Sequence, residues 1–312
     1  MYDIVTVTVN FKMRDKIMEI LRSLFRDIAS GGGQAPALQV LPVIVDNASG
    51  DGIKEALEKE FEVITPSPQP SPPKEGEGVY GMSPLPAGEG QGEGRKPRVS
   101  FINAGVNVGF GRGNNLGLKQ FEAKYYFIAN PDLVFLENQP GTIERLYQFM
   151  EEHPKVGMVA PQLRLTNGET QPSCLRFPRF LDQPIYRLGW HKKYDWARRR
   201  VEHLHMKDFD HRKTQPIDWA TGAALFVRGA MLRKVGFFDE RYFMYFEDTD
   251  LCRTFWSRGW PVYYKGDIIV QHGHERASAR VPGFKSVLLN PLTRVHIKSL
   301  LKYWWKWRGK TI

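Results

Sequence analysis

The sequence predicts an α/β domain in which a mostly parallel sheet carries helices on both faces. The prediction rests on the start of the chain, where runs of apolar, β-branched residues alternate with segments of helical apolar spacing. Strands are predicted at Ile4–Val9, Leu38–Val45 and Glu62–Thr65. Helices are predicted between them, over 13–28 and over Gly52–Phe61. This alternation is typical of parallel pairing.

Length and composition indicate a globular protein with one large domain or two small ones. The 312 residues are 42% hydrophobic and include eight tryptophans, enough to fill a core. No long window is both uncharged and strongly apolar, and the chain begins with strand-forming residues rather than a signal peptide. We therefore expect a cytoplasmic protein. Cys174 and Cys252 lack CxxC or metal-ligand spacing, which argues against a disulfide scaffold or a zinc site.

The segment Pro66–Arg98 interrupts the alternation. It consists mainly of Pro, Gly, Glu, Ser and Lys and nearly repeats itself, which predicts a disordered insertion. The fold can tolerate such an insertion because the entropy of loop closure grows only logarithmically with length. We therefore expect a domain over 1–275 that contains the insertion, followed by a basic, aromatic helical tail over 276–312.

Beyond the insertion the pattern resumes with further strands and helices. The segment Arg176–Lys213 is basic and without clear period, so a mobile loop or short helices are expected there. Further strands are predicted at Val99–Asn103, Tyr125–Ala129 and Pro261–Val270. Further helices are predicted at Asn114–Ala123, Thr142–His153 and Asp250–Arg258, and over the last 25 or so residues.

Three carboxylates fall within four residues of the chain, at Glu247, Asp248 and Asp250. They follow an aromatic run and precede an apolar-periodic helix. One or two acids suit a helix start through the macrodipole alone. Three acids beside aromatic residues indicate a partly buried site where a base is tuned. The alternative is an acidic first turn that only caps its helix.

Two further polar segments follow predicted strands. Asp46 and Asn47 come at the end of one strand, where they could bind a nucleobase or a ribose, or could form an Asx-type turn that caps the next helix. Asn107–Asn115 is glycine-rich and opens a helix, so its backbone N–H groups and Arg112 suit a phosphate. It is not a dinucleotide fingerprint, because Asn114 replaces the third glycine. A plain flexible turn is the alternative.

Asp132 and His272 are the candidate metal ligands. Asp132 follows a strand and a rigid proline, and His272 follows another strand. A divalent cation bound to a diphosphate takes only one or two protein carboxylates, and imidazole can complete the shell of Mg²⁺ or Mn²⁺. Taken alone, Asp132 suits a turn and His272 a surface or hydrogen-bonded position.

The ordered set of motifs closely resembles family 2 glycosyltransferases, in particular the rhamnosyltransferase-like branch. The resemblance spans roughly Ile4 to Lys306, apart from the insertion. The motifs that carry it are Val45-Asp46-Asn47, Asn107-x-Gly-Phe-Gly-x-Gly-Asn-Asn, Asn130-Pro131-Asp132, Thr221-Gly222-Ala223, Gly236-x-Phe-Asp-Glu with Phe246-Glu247-Asp248-Thr249-Asp250, and His272.

The resemblance implies a GT-A fold, a nucleotide-diphosphate sugar donor, a divalent cation (Mg²⁺ or Mn²⁺) and inversion at the anomeric carbon. Asp248 would be the catalytic base, and Asp132 and His272 would bind the metal. Asn130 departs from the motif, since it stands where a fuller DxD has its first acid. The donor side would comprise Asp46, Asn47, Asn107, Gly109, Arg112, Asn114 and Asp132, and the acceptor or orienting side Thr221, Gly222, Glu247 and Asp250.

The basic tail indicates a further partner. The formal charge is +10, and no acidic residue follows Glu275. Lys298, Lys302 and Lys306 stand four apart among Trp and Leu, as in a helix that lies on an anionic membrane surface. A helix packed on the domain is the alternative. The resemblance implies a saccharide or lipid-linked saccharide acceptor in cell-surface polysaccharide assembly, which a membrane-surface role would suit, and L-rhamnose as the first choice of donor sugar.

Two other classes fit parts of the sequence. A Rossmann-type NAD(P)-dependent oxidoreductase could use the loop Gly109–Gly113, with Asp132 on the ribose. It leaves the acidic segment unexplained. A nucleic-acid-binding module could use the basic tail, but the recognisable binding motifs are missing and the acids would repel phosphate, so no nucleic acid partner is expected.

Overall fold

The computed structural model describes residues 1–31, 38–66, 96–273 and 290–310. The predicted insertion therefore lies almost wholly outside the described residues, as does the predicted domain boundary at 275. The strands of the described residues are β1 Tyr2–Asn10, β2 Val40–Asp46, β3 Glu62–Ile64, β4 Arg98–Asn103, β5 Ala123–Ala129, β6 Leu133–Phe135, β7 Met158–Arg164, β8 Cys174–Leu175, β9 Thr214–Ile217, β10 Trp219–Ala220, β11 Ala224–Arg228 and β12 Val262–His272.

The helices separate most of these strands, and they include short helices in the basic segment after Arg176. A 3₁₀ turn at Trp190–Lys192 lies among them. The helices are α1 Arg14–Ser30, α2 Ile53–Glu60, α3 Phe110–Leu118, α4 Thr142–Glu152, α5 Asp182–Arg187, α6 Asp195–Leu204, α7 Gly229–Val235, α8 Glu247–Ser257 and α9 Pro291–Trp307. Within the described ranges, no helix combines the length and apolarity needed to cross a bilayer.

One large mixed sheet organises the fold, in the order β3-β4-β2-β1-β5-β11-β7-β12-β6, with β9 beside β12. The first five strands in this order are parallel, as predicted. β11 runs antiparallel to both β5 and β7, and β12 is parallel to β7. The antiparallel insertion of β11 brings the loop before it to the edge where the parallel strands end.

Helices cover both faces of this sheet, as the alternation predicts. Along β1, Ile4 packs on one face and Val5 and Val7 on the other, all fully buried. Helices α1, α2 and α4 cover the first face, and α3, α7 and α8 cover the second. Strands buried on both faces read as nearly continuous apolar runs, which is why the opening strands were visible in the sequence.

Two predicted helix starts are wrong, and both errors concern the candidate site. α3 begins at Phe110 and not at Asn114, so most of the glycine-rich segment is helical. α8 begins at Glu247 and not at Asp250, so all three acids lie in its first turn. Neither start has a side-chain cap, and the residue before each has positive φ. The usual Ser, Thr or Asp cap signal is absent.

Helix α9 packs on the domain, which is the alternative considered for the tail. Its buried side chains Leu300, Tyr303 and Trp307 form a cluster with Tyr242 and Phe246. These two belong to the segment that leads into α8. The C-terminal helix therefore supports the acidic turn directly.

Two lysines of the predicted membrane stripe make contacts within the protein. The Lys306 Nζ lies 2.6 Å from Asp250 Oδ2 and 3.0 Å from Asp239 Oδ2. The Lys302 Nζ donates to the Arg241 carbonyl oxygen at 2.6 Å. Lys298, the third lysine, is exposed and makes no such contact with the described residues. The stripe thus serves mainly to anchor α9.

The same contacts hold a strained backbone. Tyr245 and Phe246 both have φ of +69°, a region that bulky residues rarely adopt. The Phe246 ring packs against Tyr303 with centroids 5.2 Å apart, and the Ser299 hydroxyl donates to the Met244 carbonyl at 2.8 Å. Such strain persists only where surrounding packing determines the conformation. Helix α9 supplies that packing.

We expect Lys306→Met to lower the free energy of unfolding by about 3 kcal/mol at neutral pH, because it leaves the buried Asp250 carboxylate without its cation. Chemical denaturation followed by circular dichroism measures the change. Lys298→Met, on the exposed side of the same helix, is the matched control and should change stability by less than about 0.5 kcal/mol. Equal effects of the two substitutions would contradict the anchoring role, and adding Asp250→Asn to Lys306→Met should restore part of the loss.

Candidate functional site

The candidate site lies along the edge of the sheet where the parallel strands end. Asn10, Asp46 and Asn103 stand side by side there, at the ends of β1, β2 and β4. Open α/β sheets place ligands at this edge. The segments that reach the same edge from the other strands are Asn130–Asp132 after β5, Thr221–Ala223 before β11, and His272 at the end of β12.

Asp46 is held by its neighbours. Its Oδ1 accepts from the Asn10 Nδ2 at 3.0 Å, and its Oδ2 accepts from the Ser49 N–H at 3.3 Å. The Asn10 amide also donates to Asp51 at 3.1 Å. The Asp46 carboxylate therefore hydrogen-bonds within its own turn, but it does not cap the next helix, since α2 has no side-chain cap. A nucleoside contact by Asp46 stays a prediction.

Asn47 connects the ends of β2 and β4. Its Nδ2 donates to the Asn107 Oδ1 at 2.9 Å, and its Oδ1 accepts from the Val108 N–H at 2.9 Å. The Asn107 Oδ1 also accepts from the Gly109 N–H at 3.0 Å. Both amides therefore shape the loop before α3. Asn47 and Asn107 would therefore affect donor binding through the conformation of that loop.

Gly109 brings this loop against the segment that carries the acids. It has φ of +87°, and a Cβ at this position would lie 2.1 Å from the Phe243 carbonyl oxygen. The next N–H, of Phe110, donates to the same oxygen at 2.9 Å. Only glycine fits this close approach of two backbones. The predicted donor loop and the acidic segment are therefore in direct contact.

Arg112 and Asn114 occupy different surroundings. The Arg112 side chain is exposed, and its Nε donates to the Glu240 carbonyl oxygen at 2.9 Å. In this conformation it serves the loop before α8 rather than an open phosphate site. Asn114 is buried, and its Nδ2 donates to the Phe110 carbonyl at 3.0 Å.

Asp132 and His272 come together, although they are 140 positions apart in the chain. The His272 Nε2 lies 3.2 Å from the Asp132 Oδ1, because β6 and β12 pair and the Gly273 N–H donates to the Asp132 carbonyl. The Gln171 Oε1 lies 2.7 Å from the His272 Nδ1. An imidazole that donates from Nδ1 presents its Nε2 lone pair towards Asp132.

This pair fits a divalent cation of the Mg²⁺ or Mn²⁺ type. With bonds of about 2.1 Å, neighbouring ligands of an octahedral shell lie about 3 Å apart, close to the observed separation. In the described ranges, no group of three or more His, Cys, Asp or Glu side chains is arranged to hold a metal. The remaining positions would fall to diphosphate oxygens and water, as Mg²⁺ prefers.

The loop before β11 joins these parts to α8. The Gly222 N–H donates to the Asp248 Oδ2 at 2.9 Å. The neighbouring Ala223 carbonyl accepts from the Asn130 N–H at 2.8 Å. A Cβ on Gly222 would lie 3.0 Å from the Phe110 ring and 3.4 Å from the Asp248 Cβ. The segment after β5, the start of α3 and the acidic turn therefore converge on Gly222.

The three acids differ in what surrounds their carboxyl groups. The Asp248 Oδ1 accepts from the Thr249 N–H at 2.7 Å, and burial still raises its pKa above the ordinary value. Burial and the charges of Asp248 and Asp250 raise the pKa of Glu247 well above its usual range. Burial also raises the pKa of Asp250, which Lys306 opposes. Asp248 retains a lone pair on Oδ2 that could receive a proton.

Asp250, expected from sequence on the acceptor or orienting side, directs its carboxyl group towards α9. It is 2% exposed, and besides the Lys306 contact its Oδ1 accepts from the Trp307 Nε1 at 2.7 Å. Helical geometry explains the difference. Two residues along α8 turn the side chain about 200° away from Asp248, towards α9.

Several predicted site residues carry buried polar atoms that lack a hydrogen-bond partner among the described residues. They are the Asn114 Oδ1, the Thr221 Oγ1 and the Glu247 Oε2. Buried polar atoms are ordinarily paired. Such atoms at the predicted site suit contact with a polar ligand.

Sequence reasoning missed two contributors. Gln171, which contacts the imidazole of His272, stands in an irregular segment without periodicity. Asn10, which holds Asp46, ends a strand that reads as ordinary core. The rule that polar residues at parallel strand ends face ligands could have identified Asn10. No local pattern marks Gln171.

The fold is shared with two solved glycosyltransferases. Staphylococcus aureus TarS (residues 1–349, in complex with UDP-GlcNAc) matches with a TM-score of 0.52 at 15% identity, over 88% of this chain and 59% of that one. GalNAc-T7 with UDP, GalNAc and Mn²⁺ matches with a TM-score of 0.59 at 11% identity, over 99% of this chain and 48% of that one. The chain thus spans about half to three fifths of these proteins. The predicted GT-A fold is confirmed.

Curated relatives are similar in sequence. The Mycobacterium tuberculosis N-acetylglucosaminyl-diphospho-decaprenol L-rhamnosyltransferase is 27% identical over 225 residues, which cover 68% of this chain and 71% of the relative. The hexosyltransferase Agl10 of low-salt glycan biosynthesis in Haloferax volcanii is 22% identical over 158 residues, or 49% of this chain and 45% of that protein.

The family assignment rests on the longest continuous match. Residues 101–282, more than half of the 312, match the sequence model described as "Glycosyltransferase like family 2". This range begins in β4 and includes Gly109, Asp132, Gly222, Asp248 and His272. The predicted family is confirmed, and the oxidoreductase alternative is set aside: the chain belongs to the family 2 glycosyltransferases and is a glycosyltransferase enzyme.

Proposed function

We propose that this enzyme transfers L-rhamnose, with inversion, from a nucleotide-diphosphate sugar to a lipid-linked saccharide in cell-surface polysaccharide assembly. The observation that carries the mechanism is the partly buried carboxyl group of Asp248, which the Gly222 amide orients beside the loops at the strand ends. The choice of sugar and acceptor is supported by the name of the Mycobacterium tuberculosis relative. Nucleic acid is not proposed as a partner, because the acidic turn would repel its phosphates.

In the proposed reaction the acceptor hydroxyl attacks the anomeric carbon as the bond to the diphosphate breaks. The hydroxyl proton passes to Asp248, whose oxygens are fixed by the Gly222 and Thr249 N–H groups. Burial raises the pKa of this carboxyl towards the working range of a general base. Burial and the neighbouring carboxylates raise the pKa of the Glu247 carboxyl well above its usual range, which favours a form that can donate a hydrogen bond to the acceptor.

The donor diphosphate is proposed to lie at the strand ends, against the loop before α3. Asp132 and His272 would hold a Mg²⁺ or Mn²⁺ ion there, with Gln171 fixing the imidazole. When bound, the ion would neutralise charge that develops on the leaving diphosphate. Asp46 and the Asn47–Asn107 pair would border the nucleoside.

Asp248→Asn should lower kcat about 10²- to 10⁴-fold, because it removes the proton acceptor but preserves the oxygen that receives the Gly222 N–H. Transfer from dTDP-rhamnose to a lipid-linked N-acetylglucosaminyl acceptor is the assay. In the parent enzyme, activity should fall as pH decreases through the raised pKa of Asp248, at a higher pH than an ordinary aspartate would give.

Asp15→Asn is the matched control, since this aspartate is 87% exposed on α1. It should leave kcat unchanged. Retention of full transfer by a folded Asp248→Asn enzyme would refute the base assignment. Glu247→Gln, measured in parallel, separates the two acids: it should preserve the acid limb of the pH profile.

Gln171→Leu should weaken Mn²⁺ affinity about 10- to 100-fold, because the imidazole of His272 loses the group that orients it. Titration of Mn²⁺ in the presence of a nucleoside diphosphate, followed by electron paramagnetic resonance, measures the affinity. Gln148→Leu, at an exposed position of α4, is the matched control and should leave Mn²⁺ affinity unchanged. Unchanged affinity in both variants would contradict the proposed cation site.

We further propose that the enzyme is cytoplasmic and attaches to the inner face of the plasma membrane through α9. The face opposite the anchor is exposed and carries cations and apolar side chains at helical spacing, namely Arg294, Lys298, Leu301, Trp305 and Arg308. Leu301 is 51% and Trp305 61% exposed. A cationic face with indole at the boundary suits anionic headgroups.

The double substitution Arg294→Ala with Lys298→Ala should weaken partitioning onto vesicles containing anionic lipid about 30-fold, since each cation near the surface contributes about 1 kcal/mol. Sedimentation with phosphatidylglycerol vesicles measures this change. Lys16→Ala with Lys54→Ala, on α1 and α2, is the control pair of the same charge. Partitioning that is equal for all three proteins would exclude this face of α9.

A further inference from the structure

A pocket outside the site described above lies between α8, α9 and the chain segment 177–180. It has a volume of about 300 Å³, within the range of small-ligand pockets. Its walls are mainly aromatic, and the Phe180 and Trp304 rings approach to 4.7 Å between centroids. The aromatic residues that line it are Phe177, Phe180, Tyr303, Trp304 and Trp307.

Arginine supplies the charge of this pocket. Arg179, Arg253 and Arg308 line it, and none of the described residues in its wall is acidic. The Arg179 and Arg308 side chains are exposed at its rim, whereas Arg253 is partly buried in its wall. An apolar cavity ringed by guanidinium groups is complementary to a molecule that combines an anion with a hydrocarbon chain.

Of the three arginines, Arg253 is the best placed to bind an anion inside the pocket. Its guanidinium lies over the Phe177, Tyr303 and Trp307 rings, at 5.4, 5.6 and 4.9 Å from their centroids. The guanidinium donates hydrogen bonds to the Tyr303 hydroxyl and the Lys310 carbonyl, both uncharged, and its buried Nε has no partner among the described residues. The nearby carboxylate of Asp250 is engaged by Lys306. Arg253 thus keeps a positive charge that no described carboxylate neutralises through an ion pair.

The position of the pocket relates it to the proposed acceptor. Arg253 lies five residues after Asp248 on α8, which places it about 7.5 Å further along the helix axis and about 140° around it. The pocket and Asp248 adjoin opposite ends of the short antiparallel β8–β10 pair, since Phe177 follows β8 and Thr221 follows β10. A lipid carrier whose phosphate lies at Arg253 would therefore have to extend around α8 for its saccharide to reach Asp248.

We propose that this pocket binds the phosphate-bearing end of the lipid carrier to which the acceptor saccharide is attached. The arginines bind phosphate oxygens, and the aromatic walls receive the first part of the hydrocarbon chain. This assignment rests on the proposed function, because it identifies where the lipid-linked acceptor is held. A bilayer phospholipid also combines a phosphate with hydrocarbon chains, so its headgroup would suit the same pocket.

The test compares two acceptors in detergent micelles. One carries N-acetylglucosamine on a prenyl diphosphate, and the other carries it on an octyl group without phosphate. Arg253→Met, which retains an apolar stem, and Arg179→Ala, an exposed position, should each raise the ratio of the KM for the diphosphate acceptor to the KM for the octyl acceptor about tenfold. Arg258→Met, exposed at the end of α8, is the matched control and should not change the ratio.

A ratio that stays unchanged in both variants, with thermal unfolding like that of the parent, would overturn the proposal. Sedimentation of the same variants with phosphatidylglycerol vesicles distinguishes the sources of phosphate. Loss of vesicle binding with an unchanged KM ratio would assign the pocket to a bilayer headgroup and overturn the acceptor assignment.

Failure of the proposed function gives a different result, because the parent enzyme would then transfer sugar to neither acceptor. Tryptophan fluorescence during titration with farnesyl diphosphate decides the proposal in that case. Saturable quenching that Arg253→Met weakens about tenfold would support the pocket as a site for a lipid diphosphate. Quenching equal in the parent and Arg253→Met proteins would overturn it.

Discussion

Three carboxyl groups in the first turn of α8 cannot all be buried as unpaired anions, because the transfer of a charge from water to a protein interior is costly. The structure provides a different environment for each. Asp250 is neutralised by the Lys306 ammonium, Asp248 accepts backbone N–H bonds, and Glu247 has a strongly raised pKa. The helix dipole favours all three but cannot replace these arrangements. Much of the surrounding structure therefore contributes to stabilising this one turn.

Helix α9 and the loop before β11 meet this requirement from opposite sides. Without α9 the Asp250 charge would lack its partner, and the positive-φ pair Tyr245–Phe246 would lose its support. Without the hydrogen bond from the backbone N–H of Gly222, the carboxyl group of Asp248 would lose its link to the strand ends. A C-terminal helix that looks like an appendage in sequence is therefore part of the architecture that positions the proposed base.

The sequence predicts what depends on local pattern and on motifs. The opening strands and helices, the parallel pairing and the meeting of Asp132 with His272 followed from strand ends and motif order. The start of α8 could not be predicted from the sequence, because the residue before it, Phe246, has a strained backbone and no capping side chain marks the position. The role of Asp250 also depended on a contact 56 positions away in the chain. Periodicity indicated that α9 is amphipathic, but not which face the protein itself would cover.

The contact at Gly109 limits how this scaffold can change. A single methyl group there would force the backbone of Phe243 away, and with it the entrance to the acidic turn. The separation between the proposed nucleotide side and the proposed proton-accepting side is therefore fixed by two main chains in contact, independently of any side chain. A chain built in this way can acquire a new substrate preference through its outer walls, such as the helical segment after Arg176, without altering the distance over which the chemistry takes place.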